Sequence, residues 1–140
     1  MAEGVASEPR ILPGLSALNR PYWTGGAEGR LMIARCGACG FYLHPPMPAC
    51  RRCGSDDVGP QAVSGRGRIA SFTINHQAWM PGMRVPFVFV AVELEEQAGL
   101  HVFSNVEGCA PEAVAAGMAV EVFFRAAEDV HLPFFRPVAP

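Results

Sequence analysis

The sequence predicts a mainly β protein: short helices at the N-terminus, a compact cysteine module, and a C-terminal five-stranded barrel of the OB-fold type. Three observations carry this expectation. Cys36, Cys39, Cys50 and Cys53 stand in the spacing C-x2-C-x10-C-x2-C. Five later segments are rich in β-branched and aromatic residues, several with the two-residue alternation of a half-buried strand. A single proline-led, alanine-rich stretch interrupts them between the third and fourth, which matches the OB-fold plan.

Composition divides the 140 residues into an N-terminal segment (1–34), the cysteine module (35–60) and a β-rich region (61–140). In the first, Pro13 and Pro21 limit helices to short pieces after a frayed start, and Tyr22 and Trp23 are expected to anchor them to something larger. In the third, GRIASFTINHQ (67–77) opens the strands. VPFVFVAVELEE (85–96) follows, with Val88, Val90, Val92 and Leu94 on one face, and GLHVFSNVEG (99–108) is the third strand. PEAVAAG (111–117) reads as a short helix, Pro111 suiting its first turn and Gly117 its end. AVEVFFRAAE (119–128) sets Val120, Val122 and Phe124 on one side. VHLPFFRPV (130–138) carries two prolines, which predict an edge or bulged strand.

Half the residues are hydrophobic and 17% are charged, so a packed core is expected rather than disorder. The start, MAEGVASEPR, lacks the apolar stretch of a secretory signal, and no apolar run approaches a membrane span. These features point to the cytoplasm, where thiols stay reduced. Residues 1–60 hold six arginines and five acids (+1), and residues 61–140 five arginines and eight acids (−3), which sum to the net −2. Neither part offers the positive field that nucleic-acid backbones require. All eleven basic residues are arginine, which removes Schiff-base chemistry and the phosphate-loop lysine.

Four thiolates at about 2.3 Å satisfy a tetrahedral zinc ion, and two intervening residues let one tight turn present both sulfurs of a pair. Gly40 and Gly54, each following the second cysteine of its pair, are placed to take positive φ and curl backbone N–H groups toward the sulfurs. Pro45, Pro46 and Pro48 stiffen the connecting loop, and Arg51 and Arg52 offset part of the thiolate charge. Four protein ligands leave no open position, so the metal is expected to be structural and not to activate water. Iron takes the same ligands, and spacing does not distinguish the two. A redox dithiol normally comes as one CxxC in a βαβ setting, absent here.

The remaining candidates for chemistry are sparse. Cys109 lacks a neighbouring base and reads as a small packed residue. His44, His76, His101 and His131 show no ligand spacing and read as surface or strand residues. Glu93, Glu95 and Glu96 read as a solvated strand end. GRGR (65–68) is too short for a phosphate loop and reads as the lead into the barrel. No nucleophile elbow or dinucleotide loop is present. Trp79, Met80 and Met83 fall in a connector, and Phe134 and Phe135 are adjacent, so a strand there turns one of them outward. Each alone fits core filling, or a cover over the barrel mouth, at least as well; together these apolar residues point to a partner interface.

The assembly resembles a family of small acyl-CoA-associated proteins with an N-terminal helical segment, a rubredoxin-like zinc ribbon and a C-terminal OB-fold. The resemblance runs through NRPYW (19–23), GRLMIARCGACG, the proline-bearing loop, CRRCG and SGRGRIASFTI. It implies a non-catalytic partner of thiolase-fold enzymes (thiolases, hydroxymethylglutaryl-CoA synthases, retro-aldolases of steroid side-chain breakdown), acting in a hetero-oligomer and helping to dock or channel an acyl-CoA thioester. It also implies Cys36, Cys39, Cys50 and Cys53 as zinc ligands. By residue type, Arg66, Arg68 and Arg84 suit CoA phosphates, while Trp79, Met80 and Phe135 suit an acyl path or partner contact. Two alternatives stand beside this reading: a single-stranded nucleic-acid-binding module, and a rubredoxin-like electron carrier.

Overall fold

The computed structural model describes residues 10–139, so the frayed start expected over the first residues lies outside them. A one-turn helix, α1 (Arg20–Thr24), runs into a 3-10 turn (Gly25–Glu28). Three strands follow: β1 (Leu31–Cys36), β2 (Tyr42–Leu43) and β3 (Val58–Val63), in the order β2-β1-β3. The barrel comprises β4 (Arg66–Asn75), β5 (Phe87–Leu94), β6 (His101–Val106), β7 (Ala119–Ala127) and β8 (Val130–Pro137). Its closed order, β4-β5-β6-β8-β7, is the five-stranded OB topology, and β4 seals it by pairing with β7 through Arg66–Arg68.

The alternation read in the sequence sets the inside of the barrel. Val88, Val90, Val92 and Leu94 are all at most 2% exposed. They join Ile69, Val102, Val106, Val120 and Phe135 in one core, to which β1 adds Leu31 and Ile33 and α1 adds Tyr22. The ribbon sheet and the barrel therefore share apolar packing, each buried Val or Leu contributing roughly 1.5–3 kcal/mol. Gly67 lies where a Cβ would strike the Glu93 carbonyl of β5, so this strand needs glycine at the close approach.

Four expectations change. The helix over 111–117 shortens to a single 3-10 turn, Pro111–Ala113. Val114 returns to extended backbone and is buried, and Gly117 N–H and Met118 C=O bond Ile69 on β4, so tertiary pairing overrides the alanine propensity. Residues 31–34, read within a helical segment, open β1. Strand β8 is not an edge: it pairs with β7 along its length but meets β6 at one parallel bridge, Val106↔Phe135. That sparse side tolerates residues without an N–H. Finally, neither Phe134 nor Phe135 is exposed. Phe135 points into the barrel, while Phe134 enters an outer cluster with Val130 and Leu132 that Leu12, Leu15 and Trp23 cover.

Tyr22 and Trp23 anchor the N-terminal segment as the sequence suggests. Their rings meet edge-on at 4.7 Å, and Trp23 packs against both the barrel core and the outer cluster. Asn19 fixes the approach to α1: its Oδ1 accepts from Ser16 N–H at 2.7 Å, and its Nδ2 donates to the Gly14 carbonyl at 3.0 Å.

Candidate metal centre and apolar surface

Two copies of one turn build the metal centre. In the first, Gly40 at φ 81° donates to the Cys36 carbonyl at 2.9 Å; in the second, Gly54, also at φ 81°, donates to the Cys50 carbonyl at 2.8 Å. Each turn also aims an N–H at a sulfur: Cys39 N–H at Cys36 Sγ (3.4 Å) and Arg52 N–H at Cys50 Sγ (3.3 Å). The expected role of both glycines is thus present in the backbone.

The four sulfurs lie within 4.8 Å of one another. Two separations cross between the turns, Cys36–Cys53 at 3.6 Å and Cys39–Cys50 at 3.7 Å. Bonds of about 2.3 Å to one tetrahedral ion would place sulfurs roughly 3.8 Å apart, so the donor set fits such an ion. The thiols themselves ask for a cation. The Cys39 N–H, foremost, draws Cys36 down to about 7. Cys53, although the Ser55 N–H favours its thiolate, is pushed up to about 11, chiefly by Cys36 beside it. Four such groups ionise together only when a cation takes their charge. The cluster is a metal-binding centre that offers an ion four protein sulfurs. Cys36 and Cys50 are buried with Ala34 and Leu43 in a small core, and Arg51 and Arg52 stack over Phe41 at its edge.

The non-metal residues singled out by type do not form one site. Arg66 and Arg68, at the start of β4, line a cleft of about 470 Å³ with Glu93, Glu95 and Gln97, and Arg68 donates to the Gly117 carbonyl. Met80 and Arg84 line a different cleft of about 440 Å³, beyond the far end of β4, with Met83, Phe87, Glu107 and Cys109. Trp79 stands in the same connector, 70% exposed, its indole N–H on Asn75 Oδ1. Phe135 is enclosed in the barrel and reaches neither cleft.

Sequence reasoning missed several residues. Phe89 and Phe103, 45% and 63% exposed, stack in parallel at 6.0 Å on the outer face of β5 and β6. The β5 alternation contained this signal, since inward Val88 and Val90 turn Phe89 outward. Their strand neighbours on that face, Thr73, Ala91 and Asn105, carry no charge. Glu107 forms a two-point ion pair with Arg125 (2.7 and 3.1 Å), which holds its carboxyl below the usual range. His44 is a correction to the surface reading: its ring packs on Tyr22 at 4.6 Å, its Nδ1 is buried without a partner, and burial lowers its pKa to about 4. Cys109 packs against the barrel core as expected. Glu93 and Glu96 bind backbone N–H groups of Gly99 and Ser64. No helix among the described residues is long and apolar enough to cross a membrane.

Comparison with known proteins gives this geometry a context. Residues 23–59 match the family described as "ChsH2, rubredoxin-like zinc ribbon domain", and residues 60–125 match "ChsH2, C-terminal OB-fold domain". The chain is 35% identical to a probable enoyl-CoA hydratase alpha subunit of Thermomonospora curvata, over 99% of this chain and 44% of that one. It is 38% identical to the 3-oxo-4,17-pregnadiene-20-carboxyl-CoA hydratase alpha subunit of Mycobacterium tuberculosis, over 74% and 32%. It therefore spans less than half the length of these curated relatives. A solved structure described as "Ltp2-ChsH2(DUF35) aldolase" contains a chain that superposes with a TM-score of 0.82 at 33% identity, covering 91% of this chain and 100% of that one.

Proposed function

The chain belongs to the ChsH2 family of paired rubredoxin-like ribbon and OB-fold domains (DUF35), and from that premise we propose that it is a non-catalytic partner subunit of a thiolase-fold enzyme in acyl-CoA metabolism. One observation supports this above others: exposed aromatic side chains, Phe89, Phe103 and Trp79, stand near a cleft in which Met80, Met83 and Phe87 are joined by Arg10, Arg84 and Glu107, Phe89 pairing with the lining residue Asn105. Interface centres favour aromatics and methionine. Cys109 and Glu107 both line the cleft, but Glu107 is held by Arg125 and Cys109 packs against the barrel core, while the other four cysteines face one another in the ribbon. In this reading the ion is zinc and structural, the ribbon is a platform, and Trp79, Met80 and Arg84 face the enzyme and its thioester. Arg66 and Arg68, at the other barrel end, take a separate contact. The aldolase and hydratase relatives favour the breakdown of a steroid side chain, in the reducing cytoplasm.

The test is purification of the tagged chain from its native host, with the co-purifying protein identified. Recovery in a stable complex with a thiolase-fold enzyme, weakened by Trp79→Ala or Phe103→Ala, is the expected result. A stable monomer would overturn the proposal. The aromatic pair also lies on the strands where OB-folds stack nucleic-acid bases. The net −3 of residues 61–140 opposes that use, and salt-dependent oligonucleotide binding would revive it. Iron rather than zinc in elemental analysis would favour an electron carrier.

A further inference from the structure

The turn between β5 and β6 reaches out of the barrel with two side chains. Gln97 Oε1 accepts from Tyr42 N–H at 2.8 Å, and Gln97 Nε2 donates to the Tyr42 carbonyl at 3.1 Å. Glu96 Oε2 accepts from Ser64 N–H at 2.7 Å, where β3 passes into β4. Tyr42 belongs to β2, a two-residue strand whose other side pairs with β1 through Arg35. A side-chain amide sets an N–H donor beside a carbonyl acceptor, as a peptide group does, so Gln97 serves as the missing neighbour of this short strand. One residue earlier, the Phe41 carbonyl accepts from Cys36 N–H at 2.9 Å, inside the first metal turn. A continuous line of hydrogen bonds thus joins a metal ligand to the barrel: Cys36, Phe41, Tyr42, Gln97. Gln97 also lines the cleft that holds Arg66 and Arg68.

We propose that Gln97 is the positioning residue that couples the four-cysteine centre to the barrel, so that metal occupancy orders the β5–β6 turn and the cleft it lines. The physical basis is the smallness of the ribbon core. Among buried residues it holds only Ala34, Cys36, Leu43 and Cys50, and two of these are ligands. With the ion gone, the Tyr42 ring stays in the barrel core, but the turn that ties its peptide group to Cys36 loses its anchor, and Gln97 bonds a backbone held from one side only. The inference rests on the cysteines holding a metal, and not on the identity of any partner.

Hydrogen exchange on the full chain, metal-loaded and chelator-stripped, tests it. In the wild type, stripping is expected to speed exchange at residues 95–100 about tenfold, the consequence of releasing one or two hydrogen bonds. The β7–β8 turn serves as the internal control and should not change. In Gln97→Ala the turn should exchange fast already, with less than a twofold further change on stripping. Gln97→Glu keeps an acceptor for Tyr42 N–H and should lie between. A metal-dependent change in Gln97→Ala equal to that of the wild type would overturn the coupling, as would no change in the wild type. If stripping unfolds the whole barrel, the rate of metal transfer to a chromophoric chelator decides: about tenfold faster from Gln97→Ala supports the role, and equal rates sink it. Protein purified without any bound metal would instead remove the metal premise, which elemental analysis reads separately.

Discussion

Replacing Phe134 by alanine should cost about 3–4 kcal/mol, although its position in the alternation allows it to face water. The ring is 2% exposed. Truncating a buried phenylalanine removes about 3–5 kcal/mol of transfer and cavity free energy. The Arg125 and Arg10 guanidiniums stand 4.6 and 4.9 Å from the ring centroid, and Phe123 stacks at 5.7 Å. These contacts are among those the truncation removes. Partial collapse of Leu12, Leu15 and Trp23 into the vacated space returns some of that, hence the lower figure. Urea unfolding of metal-loaded protein measures the change, and the melting midpoint should drop by about 10–15 °C. Phe135→Ala should cost a similar amount, since its ring is enclosed on the other side of the same strand. A loss below about 1 kcal/mol for Phe134→Ala would refute the argument that the N-terminal segment seals the outer face. Unchanged stability with weakened partner binding for Phe135→Ala would restore it as a contact residue.

Further expectations follow from the same geometry. Cys36→Ser should abolish stoichiometric metal by elemental analysis and unfold the ribbon, a loss on the order of 10 kcal/mol of binding free energy. Trp79→Ala and Phe103→Ala should each weaken the proposed complex about 30-fold, the scale of an interface hot spot. Both side chains are largely exposed, so the melting temperature of the chain alone should stay within a degree or two. His44 is half-buried, its Nδ1 without a partner and its pKa depressed to about 4, whereas the unfolded chain takes up that proton near 6.5. The unfolded state therefore binds more protons between those values, and stability should fall as pH drops from 6.5 toward 4, by up to about 3 kcal/mol. His44→Gln should flatten that slope in unfolding titrations; an unchanged slope would assign the acid sensitivity to the cysteines. For Glu107 the depressed carboxyl gives stability that is present at neutral pH and is lost on acidification below the usual carboxylate range. Glu107→Gln should remove that loss and leave Arg125 with a weaker partner.

What one dimension determined was whatever depends on local spacing. The two CxxC pairs with their following glycines dictate two like turns, because two-residue spacing and a positive φ are properties of adjacent residues. Valines at every second position of 88–92 dictate a strand and its inner face for the same reason. Tertiary structure decided the rest. The backbone of Tyr42 meets Gln97, 55 positions away, and nothing near either residue marks the other. Pro111–Gly117 has a helical composition, yet only Pro111–Ala113 coil; Val114 is extended, and Gly117 turns the chain to pair with Ile69 across the barrel. Phe134 is buried because Leu12 and Leu15 before α1, with Trp23 within it, fold back over its cluster. Arg66, Arg68 and Arg84 look alike in sequence, but a ten-residue strand of about 30 Å separates the first two from the third. Barrel closure brings distant segments together and drives like residues apart, and no local pattern encodes which of the two will happen.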